Sequence, residues 1–310
     1  MTIHFQDKCP ISAGSQHNRL TAARAVTEKH IPCIIWAEDA LCFAHNVPTA
    51  LLDQQLLVPD AFISQAANAI SERLSYMIPS QSHIFEERRG VRTDRMTPDA
   101  FPSSVRLKHA GDESNEDLPK HILIHPQSYF HIDNESTRYQ APLLPSNASL
   151  RFTTVTSFLD SLVDTLLDPT IGYSHWRLNR TLMVYISYLS LYSLRLERTL
   201  GEGEPTPPLA SDALSSMKEE NRLLVDQVWR GTDIRKPWLM HVRERRELML
   251  NTPRYAAALR PLPVDPIRGG GLGLLKRQFG TIVMHKKSPN VIKPADLLKR
   301  TLKAFRFFGK

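Results

Sequence analysis

The sequence predicts an α+β fold in which a mixed sheet with flanking helices is followed by a helical region and a basic C-terminal tail. Up to about residue 150, short apolar runs that suit buried strands alternate with helical patterns. Beyond residue 153 the apolar residues recur at helical spacing. Residues 266–310 carry eleven basic side chains and one acidic side chain. The predicted domains are an α/β domain at 1–150, a helical domain at 151–255 and a basic tail with a terminal amphipathic helix at 256–310.

The composition indicates a globular protein inside the cell. The chain has 310 residues, of which 42% are hydrophobic and 23% charged. Its first residues, MTIHFQDKCP, are polar and include a proline, so we expect no secretory signal. The longest apolar stretch, residues 182–194, is too short to span a bilayer. Cys9, Cys33 and Cys42 lack the spacing of a zinc site or a disulfide framework. We therefore expect no transmembrane segment and a cytoplasmic or nuclear location.

The first elements follow from the positions of apolar residues and prolines. The pattern predicts a helix over 17–30, a short buried strand at 33–36, and one or two helical turns at 39–44. The apolar run ALLDQQLLV at 50–58 is predicted to be the next strand, and a helix is predicted over 61–77.

The middle of the chain predicts further strands before the pattern becomes helical. Residues 105–110 and 121–126 suit strands, residues 128–133 would continue the second strand after a bend, and 140–149 has the composition of a linker. Four further helices are then predicted, one ending at Pro169 and the others over 175–200, 211–230 and 234–250.

Three carboxylates stand close to the first two predicted strands. Glu38 and Asp39 directly follow the strand at 33–36, and Asp53 lies inside the next apolar run. Acidic side chains in the first turn of a helix interact favourably with the helix dipole, which is one sufficient reason for the first two. Carboxylates gathered beside strands are also the oxygen ligands that Mg²⁺ prefers. The pattern fits a metal-dependent transferase, a degenerate form of one, or a simple helix start.

The order of these segments resembles the nucleotidyltransferase fold of the polymerase-beta type, in particular fungal proteins that carry a degenerate version of it. In that family a strand ends in a Gly-Gly or Gly-Ser pair that opens a short helix, and the next strand carries Asp-x-Asp. Here CIIW is followed by the segment at 37–41 and then by LLDQQLLV. The resemblance covers about the first 135 residues, and the helices after residue 153 match the helical domain that often follows.

The resemblance implies a nucleotide-binding segment. Ala37 and Glu38 occupy the positions of the small pair, and with Asp39 and Gln55 they would border the nucleotide. Glu38 departs from the family, since a carboxylate in place of glycine or serine would repel a triphosphate. Gln55 departs too, because it stands at the second Asp of Asp-x-Asp and offers no charge.

The resemblance also implies catalytic residues. Asp53 matches the first Asp of the pair and would be both a catalytic residue and a ligand of magnesium, the cofactor of an active enzyme. A third carboxylate is expected on a later strand, where Asp133 is the nearest candidate. With Gln55 in place of a carboxylate, a two-metal site would lack one of its main ligands.

We therefore expect a degenerate nucleotidyltransferase-like protein, non-catalytic, that binds a nucleotide or a protein partner. One alternative is an active magnesium-dependent nucleotidyltransferase that uses Asp53. Another is an adaptor whose basic segment, 266–310, binds nucleic acid or a membrane surface.

Other patterns point to no further activity. His131 and Asp133, with His175, have the residue types of a two-histidine, one-carboxylate iron site, but ordinary hydrogen-bonded histidines are the simpler interpretation. No G-x-S-x-G motif is present, and the glycine-rich segment at 268–280 matches neither phosphate-binding motif.

Overall fold

The computed structural model describes residues 9–79, 101, 103–111, 117–132, 139–140, 144–168, 176–194 and 208–230, together with residues 244, 247–248 and 251. All helices and strands named below lie in one compact unit, residues 1–246.

Seven short strands form one mixed sheet in the order β3-β4-β5-β2-β1-β7-β6. The strands are β1 (Ile34–Trp36), β2 (Gln54–Val58), β3 (Tyr76–Met77), β4 (Val105–His109), β5 (His121–Pro126), β6 (Tyr139–Gln140) and β7 (Arg151–Thr153). The central strand β2 runs antiparallel to β1 and parallel to β5. Strand β1 is parallel to β7, and the pairs β3–β4, β4–β5 and β6–β7 are antiparallel. The predicted mixed sheet is confirmed.

Eight α-helices are described, and they flank the sheet or pack on one another. They are α1 (Ala13–Arg19), α2 (Thr21–Glu28), α3 (Ala37–His45), α4 (Ile63–Arg73), α5 (Val155–Leu167), α6 (Trp176–Tyr188), α7 (Pro208–Ser215) and α8 (Glu219–Arg230). Short 3₁₀ turns lie at Asp60–Phe62, Gln127–Phe130 and Pro145–Asn147, and a π-helical turn at Leu189–Ser193 extends α6. The α+β class is therefore confirmed for the described part of the chain.

Local sequence accounts for where several helices begin. The Ser12 hydroxyl accepts a hydrogen bond from the backbone N–H of Ser15 at the start of α1. The Thr154 hydroxyl accepts one in the same way from Ser157 at the start of α5. Such caps satisfy backbone donors that have no partner within the helix.

The two faces of the sheet have different coverings. Trp36 points to the face that receives Phe158 of α5, with the ring centroids 4.3 Å apart, and Phe130 at 5.1 Å. Gln54 points to the opposite face, where its amide donates to the backbone oxygen of Arg19 at the end of α1. Helix α4 packs against β4, β5 and α2. The largest buried aromatic side chains therefore lie where α5 meets the strand β1.

Two predicted elements were wrong because sheet pairing and turn geometry overrode the local pattern. The helix predicted over 61–77 ends at Arg73, and Tyr76 then enters strand β3, where it pairs with His109 and donates its hydroxyl to Pro119 O at 2.6 Å. The strand predicted at 128–133 is instead a 3₁₀ turn, which ends at His131 with a left-handed backbone (φ 52°).

The sheet does not stop at the predicted domain boundary. Gln140 belongs to β6, and strand β7 follows residue 150 and pairs with β1. Asn147, inside the segment predicted as a linker, and Leu150, directly after it, are buried. The division into domains stays a prediction, and the tail predicted from residue 256 lies outside the described residues.

Within the described residues, no helix has the length and apolar character needed to cross a membrane.

Candidate functional site

The junction between β1 and α3 has an unusual backbone conformation. Trp36 is extended (φ −127°, ψ 173°), and the next residue, Ala37, has a positive φ of 56°. Residues other than glycine rarely adopt this left-handed region, and alanine does so at a cost in strain. Ala37 is fully buried, so its small side chain suits the tight turn from strand into helix.

The two acidic residues after Ala37 interact with different elements. The Asp39 carboxylate accepts a hydrogen bond from Arg19 Nε at 2.7 Å. Glu38 is also buried and acts electrostatically on Tyr188 of α6. Burial is the first cause that raises the pKa of Tyr188 to about 12, and Glu38 adds to it. Burial raises the pKa of Asp39 and Glu38 adds to that rise, so the two carboxylates are electrostatically coupled although their other partners differ.

Asp39 belongs to a buried polar network beneath the sheet. Its second carboxylate oxygen accepts from Gln54 Nε2 at 3.2 Å, and Arg19 Nη2 donates to Leu52 O at 2.6 Å. Burial raises the pKa of Asp39, while the charge and hydrogen bond of Arg19 and the hydrogen bond of Gln54 oppose that rise. The predicted ligand-binding residue Asp39 is thus placed inside the protein, joining α1, α3 and β2.

Asp53 lies just before β2 and next to basic side chains of the neighbouring strands. Its Oδ1 lies 3.3 Å from Nδ1 of His121, and the Asp53 side chain is 11% exposed against 22% for His121. Asp53 also acts on Arg106 of β4: burial lowers the pKa of Arg106, and the Asp53 charge opposes that shift. This carboxylate therefore stands beside two basic side chains, His121 and Arg106.

The strand register extends this arrangement into two rows on one face of the sheet. Gln55 pairs with Leu123, and Leu123 pairs with Arg106. In the adjacent row His121 pairs with Lys108. Residues paired across strands point to the same face, so the described part of this face presents Gln55, Arg106 and Lys108 beside Asp53 and His121. We call these five residues the Asp53 face.

No acidic residue occurs within β2, β4 or β5, whose sequences are QQLLV, VRLKH and HILIHP. Gln55, the predicted second member of the Asp-x-Asp pair, is buried opposite Trp36 of β1. Asp133 lies outside the described residues, so its predicted catalytic role stays a prediction.

The remaining histidines of this region are engaged separately. His125 Nδ1 lies 2.7 Å from the Ser104 hydroxyl, and His131 Nε2 lies 2.9 Å from Asp168. Among the described residues no group of three or more His, Cys, Asp or Glu side chains could hold a metal ion.

A cavity of about 210 Å³ opens elsewhere, on the opposite side of the sheet. Its lining includes Arg19, Arg73 and Tyr76, and none of the predicted site residues. Arg19 and Tyr76 already bind Asp39 and Pro119 O. Since most ligand pockets exceed about 300 Å³, this small cavity is not the candidate site.

Sequence reasoning missed the basic residues of the Asp53 face. Arg106 and Lys108 alternate in VRLKH, which places them on one face of a strand. His121, the first residue of HILIHP, lies on the same face, where it pairs with Lys108. The alternation of charged residues could have placed Arg106 and Lys108 on one face of a strand. The sequence did not show which strands are neighbours in the sheet, and therefore not that this face would lie beside Asp53.

Comparison with known proteins adds little. No protein-family model and no curated protein matches the chain. A solved structure, described as the crystal structure of JHP933 from Helicobacter pylori, is similar over 75% of this chain and 99% of that chain, with 11% sequence identity and a TM-score of 0.25. A likeness at this level carries no argument about fold or function.

Proposed function

We propose that this chain is a nucleotidyltransferase-like protein that binds a nucleotide and does not catalyse nucleotidyl transfer. The observation that carries the proposal is the set of side chains around Asp53. His121 and Arg106 stand beside a single carboxylate. That set suits a bound phosphate better than a pair of metal ions.

The lack of catalysis follows from the ligands that two magnesium ions need. A two-metal site holds its ions with several carboxylates, which then position the attacking and leaving oxygens. Strands β2, β4 and β5 supply none, and Asp53 is within 3.3 Å of His121. Gln55 could offer a neutral amide oxygen only. The described residues therefore do not fit a two-magnesium centre.

Binding of a nucleotide follows from the charges on the same face. Arg106 and Lys108 are the basic members of this face, whereas Asp53 is the one acidic member. An arginine guanidinium binds phosphate oxygens through two parallel hydrogen bonds, and partial burial strengthens such an interaction.

The order of elements supports the nucleotidyltransferase-like part of the proposal. Strand β1 leads through Ala37 into α3, and β2 then follows with Asp53 at its start. The left-handed backbone of Ala37 is the conformation that a glycine of the family's small pair would adopt easily. The Asp39 carboxylate forms an ion pair with Arg19, so in this proposal Asp39 stabilises the turn and does not contact the nucleotide.

The test is nucleotide binding by isothermal titration calorimetry and thermal shift with the full chain. We expect nucleoside triphosphates to bind, and Arg106→Gln to weaken binding about ten-fold or more, since a hydrogen bond to a charged group contributes about 1.5–3 kcal/mol. Arg151→Gln is the control for the loss of one arginine charge, because Arg151 lies on the distant strand β7; it is exposed, whereas Arg106 is buried, so the thermal stability of both variants is measured as well. Equal affinities of the two variants, or no binding by any nucleotide, would refute the proposal.

An active magnesium-dependent nucleotidyltransferase is the main alternative, and the position of Asp53 at the start of β2 favours it. Transfer of a labelled nucleoside monophosphate to any acceptor, abolished by Asp53→Asn, would establish that activity and replace the present proposal.

A third candidate is an adaptor that binds nucleic acid or a membrane surface through residues 266–310. The eleven basic side chains of that segment favour it. Binding to RNA, DNA or anionic vesicles that falls steeply with salt and disappears on deletion of residues 281–310 would support this role.

A further inference from the structure

Two of the three cysteines lie close together although they are far apart in the sequence. Cys9 precedes α1, and Cys42 lies on α3. Their Sγ atoms are 3.4 Å apart, and 33 positions separate them along the chain. The contact joins the N-terminal segment to a helix of the core.

The two thiols differ in their burial and in the direction of their pKa shifts. Cys9 is half-buried, whereas Cys42 is fully buried. The hydrogen bond with Cys42 lowers the pKa of Cys9 to about 7; burial opposes this shift, and a hydrogen bond from the Ile11 backbone adds to it. The same hydrogen bond raises the pKa of Cys42, and burial and the nearby charge of Asp39 raise it further. The charge of Arg19 opposes this rise.

We propose that Cys9 and Cys42 form a redox-active pair that a two-electron oxidant such as hydrogen peroxide converts into an intramolecular disulfide. Cys9 is the attacking thiolate, because it is the accessible member of the pair. Cys42 is the resolving thiol, because its sulfur is already in contact with that of Cys9. The inference is independent of the proposed nucleotide site.

The chemistry balances in two steps. The Cys9 thiolate attacks one oxygen of the peroxide; an S–O bond forms, the O–O bond breaks, and the released hydroxide takes a proton from solvent to become water. Cys9 is then a sulfenic acid. The sulfur of Cys42 attacks that of Cys9; an S–S bond forms, the S–O bond breaks, and the leaving hydroxide takes the Cys42 proton to become water. Two thiols are oxidised and one peroxide is reduced.

The closing movement is short. A disulfide needs its sulfurs about 2.0 Å apart, so the two Sγ atoms must approach by about 1.4 Å. Cys42 is held in a buried helix, whereas Cys9 lies outside regular structure and is the member that moves. The bond would tie the segment before α1 to α3, the helix that begins at Ala37.

Cys33 is the internal control. It is buried beside β1, and burial raises the pKa of its thiol to about 12. A thiol in this state is a poor nucleophile. The sequence therefore supplies one reactive pair and one inert cysteine in the same chain.

The experiment treats the reduced full-length protein with hydrogen peroxide and follows intact mass and peptide mapping. We expect the loss of two hydrogen atoms, a cross-linked peptide pair containing Cys9 and Cys42, and full reversal by a dithiol reductant. Cys33→Ser should behave as the wild type. Cys42→Ser, which keeps a hydrogen-bond donor beside Cys9, should accumulate a sulfenic acid at Cys9, trapped by dimedone, and Cys9→Ser should form neither product.

The wild-type mapping alone can overturn the inference, so the test does not depend on whether Cys42→Ser folds. A disulfide that includes Cys33, an intermolecular disulfide in place of the internal one, or survival of both thiols at peroxide levels that oxidise free cysteine would each refute it. Formation of the internal Cys9–Cys42 bond in Cys33→Ser supports it.

Discussion

The buried Arg19–Asp39 ion pair gives a sharp test of how the core is held together around α3. The change is Asp39→Asn, which keeps the shape and one acceptor oxygen but removes the negative charge. The Asp39 side chain has no exposed surface and that of Arg19 is 6% exposed, so water cannot replace the lost partner. Arg19 would remain as a buried cation that still donates a hydrogen bond to Leu52 O.

The magnitude follows from that geometry. Removing one partner of a buried ion pair typically destabilises a protein by about 3–5 kcal/mol, because the remaining charge stays away from water. The Gln54 amide also loses the charge of its acceptor at 3.2 Å. We expect Asp39→Asn to lower the free energy of unfolding by about 3 kcal/mol.

The chain contains a matched control in an exposed ion pair. Lys29 Nζ lies 3.4 Å from Glu72, with the two side chains 59% and 65% exposed. Glu72→Gln removes a charge of the same sign by the same kind of substitution, and exposed pairs contribute about 0–1 kcal/mol. Urea denaturation of wild type and both variants, monitored by circular dichroism, measures the difference.

The result also bears on the binding role that the sequence predicted for Asp39. Similar unfolding midpoints for the two variants would refute the structural account of the Arg19–Asp39 pair. A loss of nucleotide affinity in a fully stable Asp39→Asn variant would favour the binding role instead.

Three further predictions concern other parts of the structure. Burial lowers the pKa of His45 to about 4, against about 6.5 in the unfolded chain. The neutral His45 therefore contributes its full share of stability above pH 6.5, and the free energy of unfolding falls as the pH drops toward 4, by about 3 kcal/mol in total. Urea titrations at pH 7 and 5 should show that His45→Gln lacks this part of the pH dependence. If the wild type and His45→Gln lose the same free energy of unfolding between the two pH values, the prediction is contradicted. Phe158→Ala should destabilise by about 3–5 kcal/mol, since it deletes a buried ring 4.3 Å from Trp36; a loss below about 1 kcal/mol in thermal unfolding would show that this contact matters little. Asn221→Asp should destabilise at neutral pH and recover as the pH falls, because the Asn221 amide donates to Asp160 and to Asp164, each at 3.0 Å, and a third carboxylate there would repel both. A pH-independent loss would argue against charge repulsion as the cause.

The parts of the fold that the sequence predicted correctly were those with strong local patterns. Strands β4 and β5 and helix α5 agree with alternation and helical spacing that extend over several residues. Strand β3 could not be predicted, because Tyr76 and Met77 continue a helical pattern and become a strand only by pairing with β4. Tertiary pairing overrides local propensity at such positions.

The candidate site shows the same limit. The sequence predicted Asp53 inside the strand at 50–58, whereas β2 begins at Gln54. Nothing in the sequence indicated that His121 and Arg106, 68 and 53 positions further along the chain, would be its neighbours. The structural role of Asp39 could not be predicted either, because its partner Arg19 comes from α1. Residue types and order predict candidates, whereas the sheet order decides which charges meet.

The central claim, that the Asp53 face binds a nucleotide through basic side chains and without a metal, is tested most directly by one measurement. ATP is titrated calorimetrically into the full chain in EDTA and again in excess Mg²⁺, with Arg106→Gln alongside. The account predicts binding in EDTA at least as tight as in Mg²⁺, because the free phosphates keep their full negative charge, and a loss of about ten-fold or more in Arg106→Gln. Binding that requires Mg²⁺ and is unaffected by Arg106→Gln would contradict it.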